Sequence, residues 1–303
     1  MSKKNNKERK LKGELARFLT GLVGAGLAVV ALVFLETPML GLLIIPFAAM
    51  ACYEICHVAG IKNKPLFAVA VAVAAAVPPL LEYEVFRRLN VPIFLSLLGY
   101  FFLLMILMLA GFEKTKVTDV LVALLASLGA PGAMATLTML RNLMRSTDPM
   151  WEMNLAVQLI FYIFCCSWLT DTFAFLVGKT MGKTKLCPKI SPKKSVEGAL
   201  GGLVLTSIAN AGFALMFNQF FLARHRVNIP AIFALSFLLC AISMLGDLTA
   251  STFKRNFGAK DYGKFFPGHG GVMDRFDSTL FVAPALFGIL QLQYHYGWDL
   301  LFK

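Results

Sequence analysis

Long apolar stretches separated by short polar connections dominate the chain. Apolar runs recur at roughly 17–35, 39–60, 66–82, 92–111, 117–140, 154–178, 197–221, 229–253 and 278–297. Most approach the ~20 residues that a helix needs to cross a hydrocarbon layer of ~30 Å. Strict period-2 alternation is absent, which excludes a transmembrane β-barrel. The pattern predicts an all-α, polytopic integral membrane protein with about nine transmembrane helices. The third run is short and carries Pro78-Pro79, which predicts a broken or tilted span, and Gly129-Ala130-Pro131-Gly132 predicts a kink in the fifth.

Composition removes the alternatives. Hydrophobic residues make up 58% of the 303 and charged residues only 15%, with mean hydropathy +0.70; soluble domains carry about 25% charged residues. The net charge of +12 raises the question of nucleic acid, but the placement of the cations answers it. With the N-terminus in the cytoplasm, 22 Lys and Arg fall on the cytoplasmic side and 7 on the other. That asymmetry is the positive-inside rule, and it predicts a multi-pass protein with a cytoplasmic N-terminus; the expected location is a cell membrane, the bacterial inner membrane. The basic tail (Lys3, Lys4, Lys7, Arg9, Lys10, Lys12, Arg17) has no interleaved aromatic residues to stack bases, so membrane lipids and not nucleic acid are its expected partners. The first apolar run lacks a small-x-small cleavage site before Glu36-Thr37-Pro38 and reads as a retained signal anchor. The expected organisation is a cytoplasmic tail at 1–16, transmembrane helices over 17–140, and a catalytic region at 141–303 with cytoplasmic loops 179–195 and 254–277. The six cysteines indicate no disulfide framework, and Cys52-x-Glu54-x-Cys56-His57 reads as helix packing rather than a metal site.

Two loops stand apart chemically. One runs from Asp171 through Gly178-Lys179, Gly182-Lys183-Thr184-Lys185 and Pro188-Lys189-Ile190-Ser191-Pro192-Lys193-Lys194-Ser195 to Glu197-Gly198. The other runs from Gly246-Asp247 through Ser251, Lys254-Arg255, Lys260-Asp261 and Pro267-Gly268-His269-Gly270-Gly271 to Asp274-Arg275-Phe276-Asp277-Ser278. A basic inner loop is ordinarily a topology signal, which explains the lysines but not Asp171 and Asp247 inside apolar helices. A central carboxylate there costs about 2.5–3.5 kcal/mol. Both aspartates are expected roughly 10–12 Å below the inner surface. Helical spacing puts Asp247, Ser251 and Lys254 or Arg255 on one face, and Asp274 and Asp277 on another if 272–278 opens a helix. Glu54, Asp119 and Glu197 also fall on the cytoplasmic half, so one inward-facing polar cavity is expected; for Glu54 and Asp119 a helix-end or ion-pair role competes. Oxygen-only carboxylates favour Mg²⁺ held together with substrate phosphates, and lysine, arginine and a glycine turn suit phosphate oxygens. These parts fit phosphoryl or nucleotidyl transfer.

The two loops resemble the signature motifs of the phosphatidate cytidylyltransferases, the CDP-diacylglycerol synthases, over roughly 170–202 and 246–280. Earlier spans match that family in hydropathy only. Ala250 departs from the family pattern, in which glutamate often precedes the serine. The resemblance implies that CTP and phosphatidate combine to CDP-diacylglycerol and pyrophosphate, with Mg²⁺ and a second cation. It implies Asp247, Asp274 and Asp277 as metal ligands and Lys254, Arg255, Lys260, Asp261, His269 and Arg275 as the catalytic group. It further implies Asp171, Lys179, Ser191, Lys193, Glu197, Ser251, Gly270 and Gly271 as substrate contacts, and leaves a homodimer open. His269 would hold a phosphate or the departing pyrophosphate, since the lipid phosphate is ionised at neutral pH. Related CTP-using enzymes, a CDP-archaeol synthase or a polyprenol kinase, are the nearest alternatives. An anion transporter is the alternative from another class, but no inverted repeat is visible. The Gly198-x-x-x-Gly202 pair is expected to be a helix-packing motif.

Overall fold

The computed structural model describes residues 39–144, 149–220, 227–266 and 270–297. The expected tail at 1–16 and first span at 17–35 lie outside the described residues, as does His269.

Apolar length decides the architecture. Seven helical segments are long and apolar enough to cross a membrane: Leu40–Val58, Lys64–Glu82, Ile93–Ala110, Val117–Leu143, Leu155–Met181, Val196–Phe217 and Ile229–Asn256. They coincide with the second to eighth expected runs. The ninth forms a helix, Thr279–Tyr296, but its last turns carry Gln291, Gln293 and His295 and it is not among the seven.

In chain order the helices are α1 (Met39–Val58), α2 (Lys64–Glu82), α3 (Val85–Arg88), α4 (Ile93–Ala110), α5 (Val117–Met144), α6 (Pro149–Phe164), α7 (Thr170–Met181), α8 (Val196–Phe220), α9 (Ile229–Asn256), α10 (Met273–Phe276) and α11 (Thr279–Tyr296). A π-helical turn, Cys165–Leu169, joins α6 to α7. α2 runs unbroken through Pro78 and Pro79, and α5 through Pro131, so the prolines do not end the helices there. Asn63 caps α2, accepting the Leu66 N–H, while its amide nitrogen donates to the Leu107 carbonyl and the Thr115 hydroxyl.

The all-α expectation needs one correction. Residues 185–195 are not plain loop but an antiparallel hairpin, β1 (Lys185–Cys187) with β2 (Ser191–Ser195), pairing Lys185 with Ser195 and Cys187 with Ser191. With Pro188 and Lys189 in the connection, the chain reverses on itself instead of arching between α7 and α8.

The chain divides into two compact units. The first draws on Met1–Thr138 and Phe257–Phe276, the second on Met139–Asn256 and Asp277–Lys303. In the first, α1 packs along α2, and α2 meets α4. The buried positions of α1 and α2 are rich in small side chains (Ala48, Ala51, Cys52, Ala70, Ala74), which lets backbones approach. α4 is nearly all apolar yet buries only Leu104; Phe94, Leu95, Ile106 and Leu109 are exposed, a surface suited to lipid. In the second unit α8 packs between α7 and α9, and α9 also meets α11. An added Cβ on Gly198 would fall 2.6 Å from the Ala174 carbonyl oxygen, and one on Gly202 2.9 Å from that of Thr170. The expected packing motif is therefore the α7–α8 seam. Polar side chains inside the helices pair with one another, as Tyr100 with Ser127 and Tyr162 with Ser236. All six cysteines are free thiols.

Candidate active site

In the second unit the chemistry gathers where α9 ends. Asp247 and Lys254 stand seven residues apart on α9 and so face one way, as the sequence spacing requires. Ser251 between them donates to Asp247 Oδ1 at 3.4 Å. Lys194 of β2 forms an ion pair with Asp247, both side chains being partly buried. Lys254 is 8% exposed. Asp277, just before α11, joins them because α11 approaches α9 at a glycine: a Cβ on Gly246 would lie 2.9 Å from the Asp277 carbonyl oxygen and 2.8 Å from the Phe281 ring.

The electrostatics of this cluster are unbalanced. Burial pushes the Asp277 carboxyl up to about 7, with the nearby Asp247 and then Asp171 adding to the rise, while the Ser278 N–H and Lys254 oppose it. Three carboxylates thus share the region with the ammonium groups of Lys194 and Lys254. Burial, more than the neighbouring acids, thus disfavours the charged form of Asp277, and a nearby cation would favour it. Among the described residues no three His, Cys, Asp or Glu side chains are grouped closely enough to hold a metal by themselves. Asp247 and Asp277 could therefore contribute to a metal site only together with ligands from elsewhere.

The hairpin is fastened to the same region. Arg255 Nε donates to the Ile190 carbonyl at 3.4 Å, at the hairpin's turn. Glu197, expected to contact substrate, accepts N–H bonds from Lys183 and Thr184 at 3.0–3.2 Å and closes the other end of the loop. Ser191 opens β2, Lys179 and Lys193 are exposed, and Asp171 is half-buried on α7. Lys194, not singled out in the sequence, is the one that reaches Asp247.

The first unit holds the glycine-rich turn. Gly270 has φ +91°, a conformation that excludes ordinary side chains, and its carbonyl accepts the Phe266 N–H at 2.9 Å. Asp274 Oδ2 accepts the N–H groups of Tyr262 (2.8 Å) and Gly271 (3.0 Å), drawing the loop around itself. Glu54, 2% exposed on α1, accepts Val272 N–H through Oε1 at 3.0 Å and Met273 N–H through Oε2 at 2.9 Å. Sequence reasoning left its role open between chemistry and helix-end contact; its one signal was a carboxylate inside an apolar run. Asp119 has the helix-end role, accepting the Lys116 N–H at 3.0 Å. Lys260, Asp261 and Arg275 are exposed on this unit.

Proteins named phosphatidate cytidylyltransferase are similar to the chain. That of Staphylococcus aureus (strain COL) is 47% identical over 134 residues, 44% of this chain and 49% of the relative. That of Staphylococcus haemolyticus (strain JCSC1435) is 46% identical over 134 residues, 44% and 49% of the two. That of Staphylococcus epidermidis (strain ATCC 12228 / FDA PCI 1200) is 43% identical over 137 residues, 45% and 50%. The chain spans about half the length of the curated relatives it matches. The model of the cytidylyltransferase family reaches further, matching residues 15–293, and on that match the chain belongs to the cytidylyltransferase family.

Proposed function

We propose that the protein is a membrane-embedded CTP:phosphatidate cytidylyltransferase that forms CDP-diacylglycerol and pyrophosphate. The observation that carries the reading is the meeting of Asp247, Asp277, Lys194 and Lys254 in a family member, an arrangement suited to a metal-bound polyphosphate. A phosphatidate oxygen attacks the α-phosphorus of CTP; the new P–O–P link forms as the bond to the β-phosphate bridge breaks, and pyrophosphate leaves. The attacking phosphate is already ionised, so no general base is needed. Repulsion between two polyanions is the main barrier, and preorganised cations lower it.

Lys254 and Arg255 neutralise phosphate oxygens, and Lys194 exchanges Asp247 for substrate when the nucleotide arrives. Lys193, Lys260 and Arg275 are exposed cations available to the incoming phosphates. Gly270 lets the backbone approach an anion while the Gly271 N–H stays on Asp274, and His269 takes a phosphate of the leaving group. Asp247 and Asp277 would be the residues of the second unit to hold Mg²⁺; Asp274 is named only by its place in the motif, with hydrogen bonds of the kind that orient ligating carboxylates. When bound, Mg²⁺ would withdraw charge from the triphosphate and favour attack at the α-phosphorus. The charge asymmetry supports an orientation with loops 179–195 and 254–277 in the cytoplasm, where CTP is found.

Purified protein in detergent with Mg²⁺, labelled CTP and phosphatidate should release pyrophosphate in step with lipid-linked CMP, and EDTA should abolish both. Release of CDP with a newly phosphorylated lipid alcohol would replace this reading with a kinase.

A further inference from the structure

We infer that Glu54 is a positioning residue for the reaction proposed above: its buried carboxylate, from the first described helix, fixes the backbone that presents the glycine turn and Asp274. The two carboxylate oxygens are divided between two consecutive N–H groups, Val272 through Oε1 and Met273 through Oε2, a two-point hold that sets the direction of the backbone as well as its position. The loop is shaped to admit this carboxylate. A Cβ on Gly263 would fall 2.3 Å from Glu54 Oε1, and one on Gly271 2.4 Å from both oxygens. Two glycines separated by eight residues therefore enclose one side chain.

What the hold controls lies next to it. Gly271, whose N–H goes to Asp274 Oδ2, immediately precedes Val272, and Asp274 immediately follows Met273. Moving Val272 and Met273 would therefore shift both the donor and the acceptor of that bond. Tyr262, the second donor to Asp274, is 3% exposed and one residue before Gly263, so the same carboxylate borders both strands of the loop. Phe47, on the same helix as Glu54, adds a ring contact to Phe276 with centroids 5.8 Å apart, seating α10 on α1. None of these groups needs to touch substrate for the effect to reach chemistry: a displacement near 1 Å at a reacting centre can cost about a hundredfold in rate.

The test separates position from mere stability. Glu54→Gln keeps the shape and one acceptor but turns an amide NH₂ toward the second backbone donor; Glu54→Ala removes both acceptors. Folded protein is measured by gel filtration and thermal unfolding, and kcat and KM are taken for CTP and phosphatidate. Amide exchange of a peptide covering 270–276 is followed by mass spectrometry, with one covering 185–195 as reference. In Glu54→Gln, kcat per folded molecule should fall about ten- to a hundredfold with KM changed less than about threefold. Exchange at 270–276 should quicken while 185–195 stays as in the unaltered protein. Unchanged exchange would refute the hold, and faster exchange with unchanged kcat would reduce it to a stability contact. Should the Glu54 variants fail to fold, Gly263→Ala presses on the same carboxylate from the loop side, and normal kcat and exchange there would overturn the inference. An unaltered protein that makes no CDP-diacylglycerol would sink the transfer reading and the positioning role together. An active protein indifferent to Glu54 would sink only the latter.

Discussion

In the proposed reaction Asp277 would connect proton binding with Mg²⁺ binding. Its native pKa, near 7, lies above that of an unfolded aspartate, so without metal the native state holds a proton that the unfolded chain releases. This contribution to stability is complete below the unfolded pKa and is lost as pH rises to about 7. A cation and that proton compete, so Mg²⁺ should bind better as pH rises and level off above about 7. Below that point the half-saturating Mg²⁺ concentration should change by up to about tenfold per pH unit, the limit for one displaced proton. Titrating activity with Mg²⁺ between pH 5.5 and 8 checks this, and Asp277→Asn should weaken Mg²⁺ use and flatten the profile. A pH-independent Mg²⁺ requirement in the unaltered protein would contradict it. Of the residues concerned, Asp247, Ser251 and Lys254 were legible from helical periodicity alone. Lys194 was not, because neighbouring residues on a strand face opposite ways and nothing in Ser191-Pro192-Lys193-Lys194 tells which lysine turns inward.

At the scale of elements, the α7–α8 seam and the hairpin govern the second unit. A methyl on Gly198 would meet the Ala174 carbonyl oxygen at 2.6 Å and the Gly178 Cα at 2.9 Å, both backbone atoms that no rotamer change can move. Gly198→Ala should therefore destabilise the protein by about 1–3 kcal/mol, the usual range for overpacking. Gly212→Ala, further along the same helix with nothing within 4 Å of the added methyl, should be neutral or slightly stabilising. Thermal unfolding of the two variants in one detergent decides it. The seam was readable from glycine spacing. The hairpin was not, since its strands are three and five residues long, and their pairing depends on Glu197 and Arg255 holding either end.

For the whole molecule, hydropathy carried most of the information. Seven expected spans reappear within a few residues, because lipid demands internally satisfied backbone whatever the side-chain packing. Sidedness follows from charge and is read by labelling from either face. With native cysteines removed, Thr184→Cys and Lys264→Cys should react only with a reagent on the cytoplasmic face, and Asn228→Cys only from outside. Labelling of the first two from opposite faces would break the proposed arrangement. The hold on Glu54 also has a history in time. The carboxylate enters the membrane long before its donors exist, since Val272 follows it by 218 residues. At about 5–20 residues per second, synthesis leaves a buried acid waiting roughly 10–45 s for the N–H groups it will bind. During that interval the nascent chain carries an unsatisfied charge or a proton in its place. Throughout that interval an unfinished molecule differs chemically from a finished one at Glu54.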